Sequence, residues 1–365
     1  MTATTEHPIA SYFSLSYSES RDKFLTAAGR ANASIASIKH PLQGREGEEL
    51  YMDIACVGPD DAQSAIVIVA GTHGIEGFCG AGCQIALLSN PASLDLFRDI
   101  KLVMIHGHNP YGFSWLRRVN EDNIDLNRNY VDFSEAQDPN EYYLEVKDLV
   151  LPEHFGEESE AAMQDWIKEN GVDNYQKAVM NGQRVDPQGV FYGGTGATWS
   201  NETIRKILPE VLSRQKNVAL MDIHTGLGPY GHGDLIHAYA KGSAGYKELQ
   251  NWFGDEVIAI SAGDYGEVAA VPGGPIVSSL DTILPDHNSF ALVNEYGTVD
   301  FDRVIKAIRA DNWLHIRGDL ASEQGVAIKQ EMRDCFYCVK DEWRQMIWDR
   351  AIWSFERMAS GLRSL

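Results

Sequence analysis

The sequence contains no apolar run long enough to cross a membrane, because no stretch approaches the roughly 18 uninterrupted apolar residues that a spanning helix needs. The first residues, MTATTEHPIASYF, also lack the basic start and the apolar segment of a signal peptide. Both absences argue against a membrane-embedded or exported protein. We therefore expect a soluble, cytoplasmic protein that has no membrane partner.

Cysteine is scarce as well. The five cysteines are an odd number in a chain of 365 residues, which argues against a disulfide framework and fits a reducing compartment. Cys335 and Cys338 form a CxxC pair, but no second cysteine pair or nearby histidine pair completes the spacing of a zinc finger. We interpret these two residues as ordinary buried thiols.

Positive charge is the third shortage. The chain has 31 Lys and Arg residues against 52 Asp and Glu residues, which gives a net charge of −21. The phosphate backbone of a nucleic acid would be repelled on average, so we expect no nucleic-acid partner. A few arginines in a cleft could still bind one small anion, because nearby charge outweighs a distant negative surface.

Apolar residues make up 44% of the chain, which is enough to bury a sizeable core. An early segment, ELYMDIACV, alternates like a half-exposed strand, and later apolar runs are continuous, as expected for strands buried on both faces. These runs are Ala65–Ala70, Lys101–His106, Val218–Ile223, Leu235–Ala240 and Phe290–Asn294. Helical periodicity covers about Ser20–Ala33, Phe78–Leu88, Asn201–Arg214, Tyr246–Phe253, Asp302–Ile316 and Glu342–Leu362. The interleaving predicts an α/β fold whose sheet is at least partly parallel.

The segment of residues 134–190 differs from its flanks because it is rich in Glu and Asp and has helical instead of strand periodicity. We interpret it as an acidic, mostly helical insertion. It is either a solvated cap without a chemical role or a lid that affects specificity. No internal repeat and no low-complexity linker divides the chain, so we expect one domain over residues 1–365 that carries this insertion.

The turn GTHGIEGFCG follows directly on the first buried strand and places His73 and Glu76 three residues apart. Ligands of open α/β sheets cluster beyond the carboxyl ends of strands, and glycines let such a turn bend sharply, although glycine-rich turns also serve packing or anion binding. A second buried strand, in NVALMDIHTGLG, ends in His224. Two histidines and one glutamate with an open fourth position are typical of a catalytic zinc. We therefore predict that these three residues bind one Zn²⁺ per chain.

A third strand end supplies a candidate general base. Glu295 follows the apolar run that ends in Val293, within SFALVNEYGT. A carboxylate at this edge of the sheet could take a proton from the attacking water and return it to the leaving amine. An isolated glutamate at a strand end is more often a cap or an ion-pair partner, but here it joins a predicted metal site.

The loop RRVNEDNIDLNRNY lies between the first two ligand segments and is rich in Arg and Asn. Arg128 is suited to bidentate recognition of a carboxylate, and Asn127 adds an amide donor. Arg118 could polarise the scissile carbonyl and stabilise the oxyanion that develops. Asp125 could hold the tautomer of a ligating histidine by hydrogen bonding to its second ring nitrogen.

These segments, in this order, resemble the zinc carboxypeptidase superfamily, the M14 metallopeptidases. The matching motifs are HGIE, NPYG for the family's N-P-D-G turn, RVNEDNIDLNRN, DIH and VNEYGT. More narrowly, GTHGIEGFCGAG, PQGVFYGGTGATWS and DIHTGLGPYGHGD are similar to the DUF2817 group of that superfamily, whose substrates are poorly defined. The resemblance covers about residues 38–317. It implies a three-layer α/β fold with a central mixed, mostly parallel sheet.

Carried over by position, the resemblance implies the same roles for the zinc ligands, for the carboxylate-binding pair and for the base. It leaves Arg117 as an alternative to Arg118 for polarising the carbonyl. The chain departs from the family pattern at Tyr111, which replaces the Asp of the N-P-D-G turn. No motif in this sequence matches the tyrosine that carboxypeptidases bring over the substrate, and Tyr265 is the candidate for that position.

The combined prediction is a zinc-dependent hydrolase that cleaves an amide bond in a small peptide or acyl-amino acid with a free carboxylate. The alternative on the same site is an N-acyl amino acid deacylase or esterase, as in the succinylglutamate desuccinylase and aspartoacylase branches. A binding protein without activity is a third alternative. It is disfavoured because the predicted metal ligands, the base and the carboxylate clamp formed by Asn127 and Arg128 are all present. The sequence leaves open whether the protein forms a homo-oligomer. It also leaves open whether a second metal binds, since four further histidines lie near strand ends: His106, His108, His232 and His237.

Overall fold

The computed structural model describes residues 9–240, 242–259 and 273–365. The strands in these ranges are β1 (Ser34–Gln43), β2 (Glu49–Val57), β3 (Ser64–Ala70), β4 (Lys101–His106), β5 (Asn217–Tyr230), β6 (Gly233–His237), β7 (Val257–Ala259) and β8 (Asn288–Gly297). The α-helices are α1 (Tyr17–Arg30), α2 (Gly77–Ser89), α3 (Pro91–Asp95), α4 (Pro110–Trp115), α5 (Tyr143–Val150), α6 (Glu157–Asn170), α7 (Val172–Tyr175), α8 (Trp199–Val211), α9 (Ala244–Phe253), α10 (Leu280–Ile283), α11 (Phe301–Ile316), α12 (Glu323–Phe336) and α13 (Asp341–Arg363). The predicted α/β class is confirmed.

The strands form one mixed sheet in the order β1-β2-β4-β3-β5-β8-β6-β7. Its centre is parallel, because β3 pairs with β4 and β5, and β5 pairs with β8, all in parallel. Antiparallel pairs lie toward the edges, where β2 joins β4 and β6 joins β8. The predicted mixed, mostly parallel sheet is therefore confirmed.

The central strands are buried on both faces, and their alternate side chains enter two different cores. All seven residues of β3 are buried, which explains why the sequence reads as a continuous apolar run. Ile66 and Ile68 belong to the core that contains α2 and α13, whereas Val67 and Val69 belong to the core that contains α8 and α10. The sheet is thus the middle of three layers.

The helices on the first face pack tightly against the sheet. A Cβ atom at Gly80 of α2 would lie 2.7 Å from the Cβ of Ala70 at the end of β3, so this glycine permits close packing. The helical periodicity predicted over Glu342–Leu362 is confirmed by α13, in which Trp343, Ile347 and Phe355 are fully buried. Among the described helices, none combines the length and the apolar composition that crossing a membrane requires.

The acidic segment forms helices, as its periodicity predicts. It contains α5, α6 and α7, followed by a π-helical turn at Gln176–Met180. Most of α6 is exposed, and Met163 is its one buried residue. The end of the segment, in contrast, is buried and reaches the site described next.

Candidate metal centre

Three neighbouring strands bring the predicted site residues to one edge of the sheet. β3 ends at Ala70, which pairs with Ile223 of β5. The next residue of β5, His224, pairs with Glu295 of β8. Because all three strands run in parallel, their carboxyl ends lie side by side, as the strand-end argument predicts. β5 continues to Tyr230 instead of ending near Ile223, with a register shift after Thr225.

The turn after β3 depends on two glycines. Gly71 has a φ of +82°, in the left-handed region that other residues rarely adopt. A Cβ atom at Gly74 would collide with the backbone of Gly112. This close approach lets the Gly74 and Ile75 amides donate hydrogen bonds to the Arg118 and Arg117 carbonyls, at 3.2 and 2.8 Å. The arginine-rich loop therefore holds the turn that carries His73 and Glu76.

The three predicted ligands converge. The Nδ1 atoms of His73 and His224 each lie 2.8 Å from a different oxygen of the Glu76 carboxylate and 3.1 Å from each other. One ligand atom from each residue lies within 4.8 Å of those of the other two, and all three side chains are buried. Two imidazole nitrogens and a carboxylate are the donor set of a catalytic zinc site, so these residues fit the metal that the sequence predicts.

Each histidine is held from behind by a carboxylate. Nε2 of His73 donates to Asp125 over 3.1 Å, and Nε2 of His224 donates to Asp222 over 2.7 Å. These contacts direct both Nδ1 atoms at Glu76, which is the arrangement that metal binding through Nδ1 would need. Asp125 therefore lies where the sequence places it. Asp222 was not predicted, although Asp222 and His224 are two apart on one strand and so share a face.

Behind Asp222 lies a buried chain of hydrogen bonds. The Thr72 hydroxyl donates to the second oxygen of Asp222 over 2.7 Å and accepts from Nδ1 of His108 over 2.9 Å. The Tyr130 hydroxyl donates to Nε2 of His108 over 2.5 Å. Burial lowers the pKa of His108 to about 4, so its ring is neutral and has one donor and one acceptor, as this chain requires.

The electrostatics of the cluster keep its carboxylates charged. Burial alone would raise the pKa of Glu76, but His73 and His224 outweigh it and hold that pKa well below its usual value. Burial likewise opposes ionisation of Asp125, and the charge of Arg118 then lowers its pKa far below normal. The pKa of His224 is raised well above its usual value, because Asp222 and Glu76 outweigh the effect of burial.

Glu295 lies in the same cavity as the three ligands but does not bond to them. One of its oxygens accepts a hydrogen bond from the Leu227 amide over 3.1 Å, and this residue belongs to the irregular part of β5. Burial, with added repulsion from Glu76, raises the pKa of Glu295 to about 8. A carboxyl group with such a pKa can accept and release a proton near neutral pH.

The two candidate arginines for polarising a carbonyl have different surroundings. Arg118 lines the cavity, donates to Asp125 over 2.9 Å and lies 3.6 Å from Glu76. Arg117 is outside that cavity and is paired with Asp311, over 3.2 Å, and with Asn123. The geometry therefore favours Arg118 over Arg117.

Arg128 and Asn127 are on the short helical turn that Asp125 caps. Arg128 is buried in the cavity wall and donates from Nη2 to the Met180 carbonyl over 2.8 Å. Burial lowers the pKa of its guanidinium to about 10, with the nearby Arg118 adding to the effect. Among the described residues no carboxylate forms an ion pair with Arg128, although the charge of Asp125 partly offsets the lowering of its pKa, and its Nε has no hydrogen-bond acceptor. A buried cation of this kind is suited to an anionic ligand.

The acidic segment and its flank complete this end of the cavity. Met180 and Phe191 both line it, and the charged groups of Arg118 and Arg128 lie 5.1 and 5.6 Å from the Phe191 ring. Such distances are those of cation–π contacts. The sequence did not single out Met180, since an isolated Met gives no signal of a site, whereas Phe191 belongs to the glycine-rich motif PQGVFYGGTGATWS.

The remaining candidates do not join this cluster. Tyr265 lies outside the described residues. His106 contacts Ser20 over 2.9 Å and stacks on Phe24, and His232 is an exposed partner of an aspartate. Within the described ranges, the three ligands above form the one group of at least three side chains placed to hold a metal. Cys335 and Cys338 are free thiols; Cys335 is buried, as expected, whereas Cys338 is only half-buried.

Comparison with known proteins gives one family and a set of similar folds. The family model described as "Protein of unknown function (DUF2817)" matches residues 13–350. No curated protein matches the sequence. The structure of bovine thrombin-activatable fibrinolysis inhibitor, in complex with tick carboxypeptidase inhibitor, has 14% identity and a TM-score of 0.52, and the match covers 97% of this chain and 99% of that one. The two proteins therefore share a fold.

Two more distant structures were also found. Carboxypeptidase A from Helicoverpa armigera has 13% identity and a TM-score of 0.45, over 93% of this chain and 74% of that one. An aspartoacylase family protein from Mesorhizobium loti has 13% identity and a TM-score of 0.37, over 80% and 68%.

Proposed function

The chain belongs to the DUF2817 family, and we propose that this member is a zinc-dependent hydrolase that cleaves an amide bond in a small peptide or acyl-amino acid with a free carboxylate. The observation that carries the proposal is the convergence of His73, Glu76 and His224 in a cavity that also contains the Glu295 carboxylate and the buried Arg128 guanidinium. Zinc bound there would polarise the scissile carbonyl and acidify water.

The side chains of the cavity have the other roles in the proposed mechanism. Glu295 takes the proton of the attacking water and passes it to the leaving nitrogen. Arg118 stabilises the negative charge that grows on the carbonyl oxygen. Arg128, with Asn127, binds the substrate carboxylate and so fixes the position of the amide bond. Asp125 and Asp222 hold the imidazoles of His73 and His224 in the tautomer that ligation needs.

Metal content and turnover together test the proposal. The purified protein should contain one zinc per chain, and His73→Ala should lose it. Glu295→Gln should keep the zinc but lose about 10²- to 10⁴-fold in kcat, because proton transfer is removed while shape is kept. Suitable substrates are N-acetyl amino acids and dipeptides, compared with the corresponding esters. A protein without stoichiometric metal, or a fully active Glu295→Gln variant, would refute the mechanism.

The carboxylate clamp has its own test. Arg128→Ala should raise KM for a substrate with a free carboxylate by roughly 10- to 100-fold, since a hydrogen bond to a charged group is worth about 1.5–3 kcal/mol. The same substrate with its carboxylate amidated is the control, and it should be a poor substrate for wild type and variant alike. An equal KM for the free acid in both proteins would remove this role from Arg128.

A further inference from the structure

Beyond the groups that act on the amide bond, the cavity has an extensive apolar lining. One face of α11 provides much of it, through Phe301, Val304, Ile305 and Ile308, which recur at helical spacing. Asp300 caps the helix by accepting from the Arg303 amide over 3.0 Å, so the helix begins directly beside the segment that follows Glu295. The position of this face is therefore tied to the proposed base.

Other elements extend the same lining. Val293 is two residues before Glu295 on β8 and so shares its face of the sheet. Ile236 of β6 pairs with Val293, and both line the cavity together with Phe336 from the end of α12. These side chains are at most 9% exposed, so the lining is a packed wall and not a loose surface.

Among the described residues, the charged side chains of the lining lie in the part of the cavity that contains the proposed metal ligands and the clamp. In the described residues, the Asp, Glu, Lys and Arg side chains of the lining are Glu76, Arg118, Arg128 and Glu295. Each of these already contacts the metal ligands or belongs to the proposed machinery. No described carboxylate or cation is left to neutralise a charged side chain on the substrate, and burying such a charge without a partner is costly.

The cavity is also small. Its volume is about 140 Å³, and a cavity of about 150 Å³ lined by apolar side chains is known to hold benzene. This volume includes the space beside the proposed metal ligands and the clamp, so the apolar part suits one compact group and does not suit a long acyl chain.

We infer that the substrate carries, beside its carboxylate, one compact apolar group that binds against the α11 face, and that the site discriminates against acidic, basic and long-chain groups. This inference rests on the proposed function. The apolar group could belong to the amino acid, as in acetyl-leucine or acetyl-phenylalanine. It could instead belong to the acyl part, as in benzoyl-glycine. The chemistry is the same, and the substrates below distinguish the two sources.

A panel of N-acyl amino acids with the zinc-loaded protein tests the inference. Acetyl-leucine, acetyl-phenylalanine or benzoyl-glycine should have a kcat/KM roughly 10- to 100-fold above acetyl-glycine, as expected for burying one apolar group. Acetyl-aspartate, acetyl-lysine and dodecanoyl-glycine should not exceed acetyl-glycine. A preference for the aspartate or lysine substrate would overturn the inference and leave the hydrolase intact. Zinc-loaded protein that hydrolyses no member of the panel would overturn the proposed function itself.

Variants of the apolar lining provide a second test of the inference. Ile305→Ala should lower kcat/KM for the best apolar substrate by about tenfold and affect acetyl-glycine much less, because the larger loss falls on the substrate whose apolar group contacts this wall. Ile305→Val should show a smaller change of the same sign, and zinc content reports whether either variant folds. Val326→Ala, at a position 58% exposed on α12, is the matched control. An equal loss for both substrates would mean that Ile305 does not contact the apolar group, which would overturn the inference.

Discussion

At the scale of single residues, the proposed metal centre depends on two carboxylates that contact the proposed histidine ligands and are not ligands themselves. Asp222 and Asp125 each bind the rear nitrogen of a histidine, and each is itself held by further donors. Asp125 accepts from Arg118 as well as from His73, so one carboxylate links a proposed zinc ligand to the residue proposed to stabilise the oxyanion. A substitution at either aspartate should therefore affect more than local packing.

We expect Asp222→Asn to weaken zinc binding by roughly 10- to 100-fold. The amide keeps the size of the side chain but removes the negative charge that fixes and polarises the His224 ring. The measurement is zinc affinity by competition with a chromogenic chelator, which needs no substrate. Asp349→Asn, on the exposed face of α13, is the control and should bind zinc like wild type. Unchanged affinity in Asp222→Asn would show that His224 needs no carboxylate behind it.

At the scale of elements, the turn between β3 and α2 sets the geometry of the ligands. It begins at a glycine in the left-handed region, and its backbone is bonded to the loop that carries Arg117 and Arg118. Two of the three proposed ligands and Arg118 are therefore linked by backbone hydrogen bonds. The third ligand comes from β5, whose register with β3 is fixed by continuous parallel pairing.

Gly74→Ala should disrupt this unit. The added methyl group meets the Gly112 backbone, which cannot yield as a flexible side chain would, so we expect the free energy of unfolding to fall by about 3 kcal/mol or more. Zinc content should fall with it. Urea denaturation and metal analysis measure the two effects.

Gly156→Ala is the matched control for this substitution. Gly156 has an extended φ of 178°, and a Cβ atom there would have no neighbour within 4 Å. The control should be about as stable as wild type, because alanine is tolerated where space and backbone permit. A Gly74→Ala protein that is equally stable would mean that the turn does not need the close approach to Gly112.

Sequence patterns predicted the elements whose burial is strongly periodic or continuous, and they missed the others. β3 is wholly buried and reads as an apolar run, whereas β1 is exposed along most of its length and gives no comparable signal. The same distinction holds at the site. Histidines and glutamates at strand ends could be predicted because their chemistry is specific, but Met180 acts through its backbone carbonyl, which no residue type encodes.

Tertiary contacts of this kind also decide between alternatives that the sequence leaves open. Arg117 and Arg118 are adjacent in the chain, and their residue type is the same. They differ because Arg117 finds Asp311, nearly two hundred residues later, while Arg118 faces the metal ligands. Only the folded arrangement of α11 against this loop separates a structural ion pair from a site residue.

At the scale of the whole molecule, the acidic segment of residues 134–190 contacts the loop that carries Arg128 at the candidate site. Met180 at the end of the insertion accepts a hydrogen bond from Arg128, and Asn140 near its start donates to the Gly182 carbonyl over 2.7 Å. Residues near the two ends of this segment thus contact each other beside the proposed carboxylate clamp. Of the two interpretations of this segment, the one in which it affects specificity has the better structural support.

The molecule also buries two neutral histidines, of which His106 lies outside the cavity of the candidate metal centre, and these make its stability depend on pH. Burial lowers the pKa of both His106 and His108 to about 4, from an ordinary value of 6.5. Above pH 6.5 such a ring is neutral in both the folded and the unfolded state and has no effect. Between pH 6.5 and 4 the unfolded chain binds a proton that the folded chain does not, so stability falls as pH falls.

His106→Gln isolates this effect from the titration of the metal site. Glutamine is neutral at every pH and can keep the hydrogen bond to Ser20, so the variant should lose less stability than wild type between pH 7 and pH 5. The difference should be on the order of 2 kcal/mol. Urea unfolding at both pH values measures it, with His154→Gln at an exposed position as the control. Because the metal ligands are common to all three proteins, their titration cancels in the comparison. Equal losses in wild type and His106→Gln would therefore mean that His106 is protonated in the folded protein at pH 5.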